Sequence, residues 1–471
     1  MSILKLVAWL CTIGLIPPVA ALILDLQASS KLRLLHPIEQ VHLAATKSFD
    51  KVVVAYASKV RSDTPFVAYR IDSADEWRQV RGTWLSFEQD NPNGVPNLYR
   101  ATLSGLPSKR KVHYKACINA DDGNNIDLLC SEEYTFTTLG NMASPGHSST
   151  PTRILFVADL GSGINSIGQE LMTALPSLEK EVLFGSGADA VFHMGDMAYD
   201  LHSDGGARGD LFMRRLEPVS ARTFYQTVPG NHERMANDTF AQYQARFHMP
   251  AESNQGATRS SETSPFKLWW SADINGVHVA GLNTEVFHNA SEGVAEEMMA
   301  WLRQDLITAN RRRHLQPWVV LLGHRPSYCS EPDGWCKRMG TTGPAFRDEF
   351  ESLLYEQQVD LALWGHQHVY ERSWPVFNRT VAAKHYHNSA APVHIVTGAG
   401  GNTDDFMAMS MEAVLQPDGE WSAFLDAGRV HFCSYGRLLA ANSTHLQVEQ
   451  VNGITGSIMD EFWIVKDKRK I

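Results

Sequence analysis

The chain has 471 residues, 44% of them hydrophobic and 20% charged, with a formal net charge of −10. That composition excludes wholesale disorder, and the length allows two or three domains. The acidic balance, with no long tract of Lys or Arg, excludes a nucleic-acid binder that relies on clustered cations.

The first residues form a targeting segment. Lys5 precedes the apolar run from Leu6 to Ile16, then Pro17-Pro18 and the small residues Ala20 and Ala21. A basic start, a short apolar core and a small-residue end read as a secretory signal peptide over 1–21. An uncleaved signal anchor is the alternative, because Leu22 to Leu24 continue the apolar character; the two prolines favour cleavage near Ala21. No later stretch reaches the roughly 18 apolar residues of a membrane span. The expected mature protein is soluble, with no membrane span, and is secreted or held in a lysosome- or vacuole-like compartment. Asn-x-Ser/Thr triplets at Asn237, Asn289, Asn378 and Asn442 fit that route as glycosylation sites.

Residues 32–139 read as short strands, around 40–44, 51–56, 97–103 and 112–117, separated by turn clusters such as Asn91-Pro-Asn-Gly. This pattern predicts an all-β sandwich of the fibronectin-III-like or immunoglobulin kind, structural or partner-binding in role. Cys117 and Cys130 are placed to join two neighbouring strands, Cys329 and Cys336 to clip a loop, and Cys433 is left over as a buried thiol. The small, polar, proline-bearing stretch 140–152 reads as a linker, and 153–471 as the second domain.

In that second domain strands alternate with helical pattern. A strand at Arg153–Val157 ends in Asp159-x-Gly161, and helical pattern follows over 166–175. The apolar run from Val191 stops at Gly195, Asp196 and Tyr199. A strand at 223–228 ends in Gly230-Asn231-His232-Glu233, and Asn275-Gly276 marks a hairpin. Met298, Trp301, Leu302 and Leu306 give an amphipathic helix over 296–309. Trp318–Leu322 ends in His324-Arg325, a helix spans 346–355, and a strand from Val359 ends in Gly365-His366-Gln-His368. The tail returns to strands near 394, 430, 446 and 462.

Five strands thus end in loops bearing Asp, His, Asn or Tyr beside a glycine. Strands of one sheet deliver their carboxyl ends to one edge, so these side chains are expected to converge. Together they offer enough N and O donors for two metal ions, which can clamp an in-line displacement at phosphorus. Carboxylate and phenolate are hard ligands suited to a trivalent ion, while imidazole and amide groups suit a divalent one.

These blocks resemble, in order, the five signature blocks of purple acid phosphatases within the calcineurin-like metallophosphoesterases. The resemblance covers about His36 to Lys466. It includes Arg246-Phe-His-Met-Pro250, His368-Val-Tyr-Glu-Arg372, Ser434-Tyr-Gly-Arg-Leu438 and Asp460-Glu-Phe-Trp463. It implies a β-sandwich followed by an α/β sandwich metallophosphoesterase domain with βαβαβ units. It further implies that Asp159, Tyr199 and His368 hold Fe(III), that Asp196 bridges, and that Asn231, His324 and His366 hold divalent Zn, Mn or Fe. His232 is then a catalytic residue that contacts phosphate or donates a proton, and Asn231 also lies at the substrate. The implied activity is hydrolysis of phosphate monoesters by a metal-bound hydroxide.

Long plant members carry a histidine pair after the fourth block as outer acid groups. No histidine lies between Arg325 and Trp364 here; either Arg325 or Tyr328 replaces the pair, or the Cys329–Cys336 loop shapes a different pocket, which leaves the leaving-group acid and the substrate preference open. Two other readings compete with the acid phosphatase. One is a phosphodiesterase or nucleotidase using two divalent ions, disfavoured by Tyr199. The other is a catalytically silent secreted glycoprotein whose sandwich binds partners, disfavoured by the complete ligand set.

Overall fold

The computed structural model describes residues 37–72, 76–86, 97–121, 126–143, 151–163, 172–236, 239–250, 268–289, 293–330, 344–401, 419–426 and 433–467. The targeting segment, Asn237, Cys336 and the strand expected near 430 lie outside them.

The described residues between 39 and 137 form two antiparallel sheets. One comprises Glu39–Ala45, Val52–Ser58, Asn97–Leu103 and Thr83–Ser86; the other comprises Arg78–Arg81, Phe66–Ile71, Lys111–Asp121 and Ile126–Cys130, with Tyr134–Thr137 on the Lys111 strand. Tyr56 ties the layers together, its hydroxyl donating to the Cys117 carbonyl at 2.9 Å. Cys117 and Cys130 stand directly opposite on neighbouring strands and are disulfide-bonded. Cys329 is also disulfide-bonded, and Cys433 is a free, buried thiol.

The sandwich does not stop at its own edge. Glu39–Ala45 pairs in parallel with Phe224–Val228, Leu43 opposite Phe224, so four of its strands extend a ten-stranded sheet that also contains Thr152–Val157 and Ala190–Met194. The junction covers a strand edge that would otherwise expose a row of unpaired backbone groups. It is fixed by a buried polar network. Arg246, 2% exposed, donates to Asp210 at 2.8 Å, Gln40 at 3.2 Å, Gln242 at 2.9 Å and the Gly206 carbonyl at 3.1 Å. A buried guanidinium is tolerated only when its donors find partners, and these do.

A second sheet runs Trp270–Ile274, Val277–Gly281, Trp318–Leu322, Leu361–Trp364, Val393–Thr397, Tyr370–Ser373 and Ser422–Asp426. Its central pairings, from Val277–Gly281 to Val393–Thr397, are parallel. The two sheets pack face to face, with Trp270 Nε1 donating to the Thr227 carbonyl at 2.7 Å. The expectation that all five ligand strands share one sheet is therefore corrected. Thr152–Val157, Ala190–Met194 and Phe224–Val228 belong to the first sheet, and Trp318–Leu322 and Leu361–Trp364 to the second. Near-continuous apolar runs of this kind are buried on both faces, so periodicity alone cannot assign them to one sheet or two.

Asn275, at φ 51°, makes the expected hairpin turn between Ile274 and Val277. The amphipathic helix is Val294–Arg311, burying Met298, Leu302 and Leu306, and the later one is Pro344–Glu356. The helix expected over 166–175 falls mostly outside the described residues; residues 172–174 are not helical, and a helix begins instead at Leu175 and runs to Phe184. Proline at its second position suits that start, where a backbone N–H has no intrahelical partner. No helix among the described residues is long and apolar enough to cross a membrane.

His278 shows how a charge is held inside the second sheet. Its ring nitrogens meet Asp273 at 2.8 Å and Asp305 at 2.9 Å, while Arg312 reaches Asp273 at 3.1 Å. Burial favours the neutral ring, but the two carboxylates outweigh it and hold the pKa up at about 9. A folded pKa above the ordinary value of about 6.5 stabilises the fold fully below that value, and the contribution is lost as pH rises through about 9. His278→Gln is expected to destabilise the protein by ~1–3 kcal/mol at pH 6 and by less at pH 9, as measured by urea denaturation at both pH values.

Candidate metal centre

The carboxyl ends of both sheets meet at one edge, and their loops are held in strained backbone. Asp159, Asp196, Tyr199 and His366 all have positive φ, at 55°, 51°, 46° and 69°. Such non-glycine conformations cost ~1–3 kcal/mol each and persist only where the surroundings impose them. The adjacent glycines show the crowding that imposes them. A Cβ on Gly195, itself at φ 79°, would stand 2.6 Å from the His324 ring, and one on Gly365 would stand 2.6 Å from Asp159 Oδ2.

Within this edge the expected donors form two groups. In the first, the Tyr199 hydroxyl lies 2.9 Å from Asp159 Oδ1 and 2.9 Å from His368 Nε2, which is 3.3 Å from the same carboxylate oxygen. In the second, His324 Nε2 lies 3.1 Å from both Asp196 Oδ2 and Asn231 Oδ1. His324 Nδ1 donates to the Met194 carbonyl at 2.8 Å, which leaves Nε2 as the ring nitrogen that faces the site, where a bound cation would take the place of its proton. One ligand atom each from Asp196, His324 and His366 lies within 4.8 Å of the others. The groups are linked by the His366 backbone N–H, which donates to Asp159 Oδ2 at 2.8 Å.

This donor set fits metal ions. Ligand atoms bound ~2.1 Å from one ion at right angles stand ~3 Å apart, the spacing found within both groups. The electrostatics agree. Burial pushes the Asp196 carboxyl up, yet the His324 charge beside it wins and holds it well below the usual range. Burial lowers His324, but Asp196 holds its proton up to about 10. Burial, then the charges of His324 and Arg325, keep His366 neutral. A buried, net acidic cluster of this kind attracts cations, and a neutral imidazole is the ligand form of His366.

His232 stands beside both groups without joining either. Its backbone N–H donates to Asp196 Oδ1 at 2.9 Å, and its ring packs against that of Tyr199 with centroids 4.5 Å apart. Burial lowers its pKa, but Nδ1 lies 2.6 Å from Asp200 Oδ1, and this pairing with the Asp196 charge raises it to about 9. Of the expected glycosylation sites, Asn378 and Asn442 are exposed. Asn289 ends a short helix, and its side chain lies outside the described residues.

Three contributors are not assigned a role by sequence reasoning. Asp200 closes the Val191–Asp200 stretch and orients His232. Glu233 ends the third block, and its buried carboxylate accepts the backbone N–H groups of Gly230 at 2.8 Å, Asp196 at 2.7 Å and Met197 at 2.9 Å. It clamps the second and third loops together. The third is Glu285, bonded to Arg325 at 2.6 Å. Tyr328 is not at the centre: its hydroxyl is bonded to Glu351 and its ring packs on Trp421 and His394.

A two-sheet sandwich presenting Asp, Tyr, Asn and His donors along one edge defines a metallophosphoesterase. The comparisons agree along the chain. Residues 38–138 match the purple acid phosphatase N-terminal domain, 152–370 the calcineurin-like phosphoesterase, and 391–461 the iron/zinc purple acid phosphatase-like protein C. Acid phosphatase type 7 of Homo sapiens is 37% identical over 314 residues, spanning 64% of this chain and 66% of the human one. Its Mus musculus counterpart is 35% identical over 350 residues, spanning 71% of each chain. Probable inactive purple acid phosphatase 1 of Arabidopsis thaliana is 26% identical over 460 residues, spanning 91% of this chain and 69% of that one. The structure of a purple acid phosphatase from yellow lupin (Lupinus luteus) seeds shares the fold, with a TM-score of 0.74 at 22% identity, covering 92% of this chain and 75% of that one. The chain belongs to the purple acid phosphatase family of the calcineurin-like phosphoesterases, and it is an enzyme of the phosphatase class.

Glu233→Ala removes an acceptor for three backbone N–H groups but no metal donor. It is expected to weaken metal affinity ~10–100-fold, read by metal titration against a competing chelator.

Proposed function

We propose that the protein is a secreted acid phosphatase that hydrolyses phosphate monoesters at a dinuclear metal centre. The observation that carries this reading is the grouping of seven donors from five loops at one edge, with His232 beside them. Asp159, Tyr199 and His368 would hold Fe(III), which favours anionic oxygen ligands. Asn231, His324 and His366 would hold divalent Zn, Mn or Fe, and Asp196 would be shared. When bound, the ions supply a water of lowered pKa as nucleophile and offset charge on the phosphoryl oxygens.

The chain's own residues do the rest. Asp200 fixes the His232 ring and keeps it cationic across the acid range, so His232 pairs with a phosphate oxygen or passes a proton to the departing alkoxide. The Met194 carbonyl fixes the His324 tautomer, and Glu233 holds Asp196 in register with Asn231. Tyr199 sits among metal-directed donors, which supports iron(III) over the two-divalent phosphodiesterase or nucleotidase reading. The complete donor set weighs against a silent glycoprotein. The apolar N-terminal run supports secretion, and the exposure of Asn378 and Asn442 is consistent with glycan attachment.

Metal analysis and an optical spectrum test the centre. Iron and a second metal in about equal amounts, with a visible band removed by Tyr199→Phe, are expected; Asp196→Ala should abolish metal binding and activity. A colourless protein fully active with Mn(II) would support the phosphodiesterase or nucleotidase alternative instead.

His232→Ala is expected to keep its metals and lose ~10²-fold in turnover. Asp200→Asn removes the partner that holds the His232 proton, so the alkaline limb of the pH–rate profile should move to lower pH. Undiminished activity in His232→Ala would sink the role assigned to this residue.

A further inference from the structure

The Asn-x-Ser/Thr triplets do not sit in equivalent places. Asn378-Arg379-Thr380 directly follows a phenyl ring, Phe377, whereas Ala236, His288 and Ala441 precede the others. This triplet also closes a hairpin. Val376–Phe377 pairs antiparallel with Thr380–Val381, Phe377 opposite Thr380, and Asn378 and Arg379 make the turn at φ 48° and 58°. Two-residue hairpin loops of the type I′ class need positive φ at both central residues. Asn accepts that conformation more readily than Arg, so the turn is strained on its own. Directly opposed residues point to one face of a ribbon, so Phe377 and Thr380 stand side by side there, with Asn378 next to Phe377 in the chain.

The tip is anchored through its backbone. The Asn378 N–H donates to Glu351 Oε1 at 2.6 Å, the Arg379 N–H to the Tyr328 hydroxyl at 2.9 Å, and Tyr328 is itself bonded to Glu351. The hairpin therefore holds the chain at Tyr328, shortly past His324. Asn378 is exposed and Phe377 half-buried. The Tyr355 ring stacks on Phe377 with centroids 4.2 Å apart and planes 17° apart, and Tyr355 is 38% exposed. An aromatic pair left partly in water beside such an asparagine is a platform for the apolar C–H face of a pyranose, whose partly positive hydrogens suit the negative face of a ring. The other triplets differ. Asn442 turns its Oδ1 back onto the Thr444 and His445 N–H groups at 2.8 and 3.0 Å, and Phe287, two residues before Asn289, is buried.

We propose that a glycan on Asn378 packs its first sugar, an N-acetylglucosamine, against Phe377 and so clamps the hairpin that holds Tyr328; this rests on the secretory reading above. Attachment replaces one Nδ2 hydrogen of Asn378 by a bond to the anomeric carbon. The donor is a lipid-pyrophosphate-linked oligosaccharide, and the lipid pyrophosphate leaves with the proton. The glycan is then part of the fold at this position, and its contribution resides in the sugar nearest the chain.

The test uses full-length protein from a eukaryotic secretory host, as wild type, Thr380→Val, Phe377→Val, Phe377→Tyr and the Phe377→Val/Thr380→Val double variant. Thr380→Val removes the triplet while keeping side-chain shape and leaving Asn378 in its turn. Occupancy is read by peptide mass spectrometry, and opening of the hairpin by hydrogen exchange over 374–382. Wild type trimmed by an endoglycosidase to the first sugar is expected to exchange ~3–10-fold more slowly than Thr380→Val. Phe377→Tyr should keep that protection. Phe377→Val should keep its glycan yet exchange as fast as the double variant. If Phe377→Val does not fold, wild type against Thr380→Val decides alone. Equal exchange in occupied wild type and Thr380→Val overturns the proposal, as does protection that survives in Phe377→Val. Wild type with glycan at other triplets but a bare Asn378 overturns this proposal alone. Wild type without glycan at any triplet overturns the secretory reading and this proposal together.

Discussion

The structure depends on keeping Asp159, Asp196 and Glu233 buried within one small volume, each no more than 2% exposed. Burying carboxylates is costly unless each charge meets a partner. Here the partners come from loops that are distant in sequence. Glu233 takes three backbone N–H groups, Asp196 takes His324 and the His232 amide, and Asp159 takes Tyr199 and the His366 amide. The loops are cross-linked by the groups that make the site acidic, so the site's demand for cations and the cohesion of the edge have one cause.

The strained backbone follows from that arrangement. Four of the seven residues grouped there sit at positive φ, where the loops turn sharply enough for two sheets to share one edge. Glycine stands beside them because its neighbours leave no room for a Cβ. The strain is stored where the chemistry is placed, on strand ends rather than on long free loops.

The N-terminal sandwich supports this edge from the far side. Its edge strand covers Phe224–Val228, the strand that delivers Asn231 and His232, and Arg246 ties the junction to the helix Ala207–Ser220 through Asp210. Among the described residues the sandwich brings no donor to this edge. By completing the sheet it fixes the position of the strand that carries Asn231 and His232.

The sequence alone determined the strand ends, the hairpin at Asn275, the long amphipathic helix and which loops carry Asp, Tyr, Asn and His side chains. These are local properties: an apolar run, a turn residue or a ligand type is legible without knowing what packs against it. Tertiary structure decided that these strands come from two sheets, that the sandwich continues one of them, that Tyr328 faces away, and that Glu233, Asp200 and Glu285 brace the loops at this edge. Each of those facts is a contact between distant segments, and a single acidic or basic letter reads equally well as a solvated surface charge. The same limit applies to the loop from Val191 to Asp200: its residue types announce a ligand, but only packing brings Tyr199 within reach of Asp159 and His368.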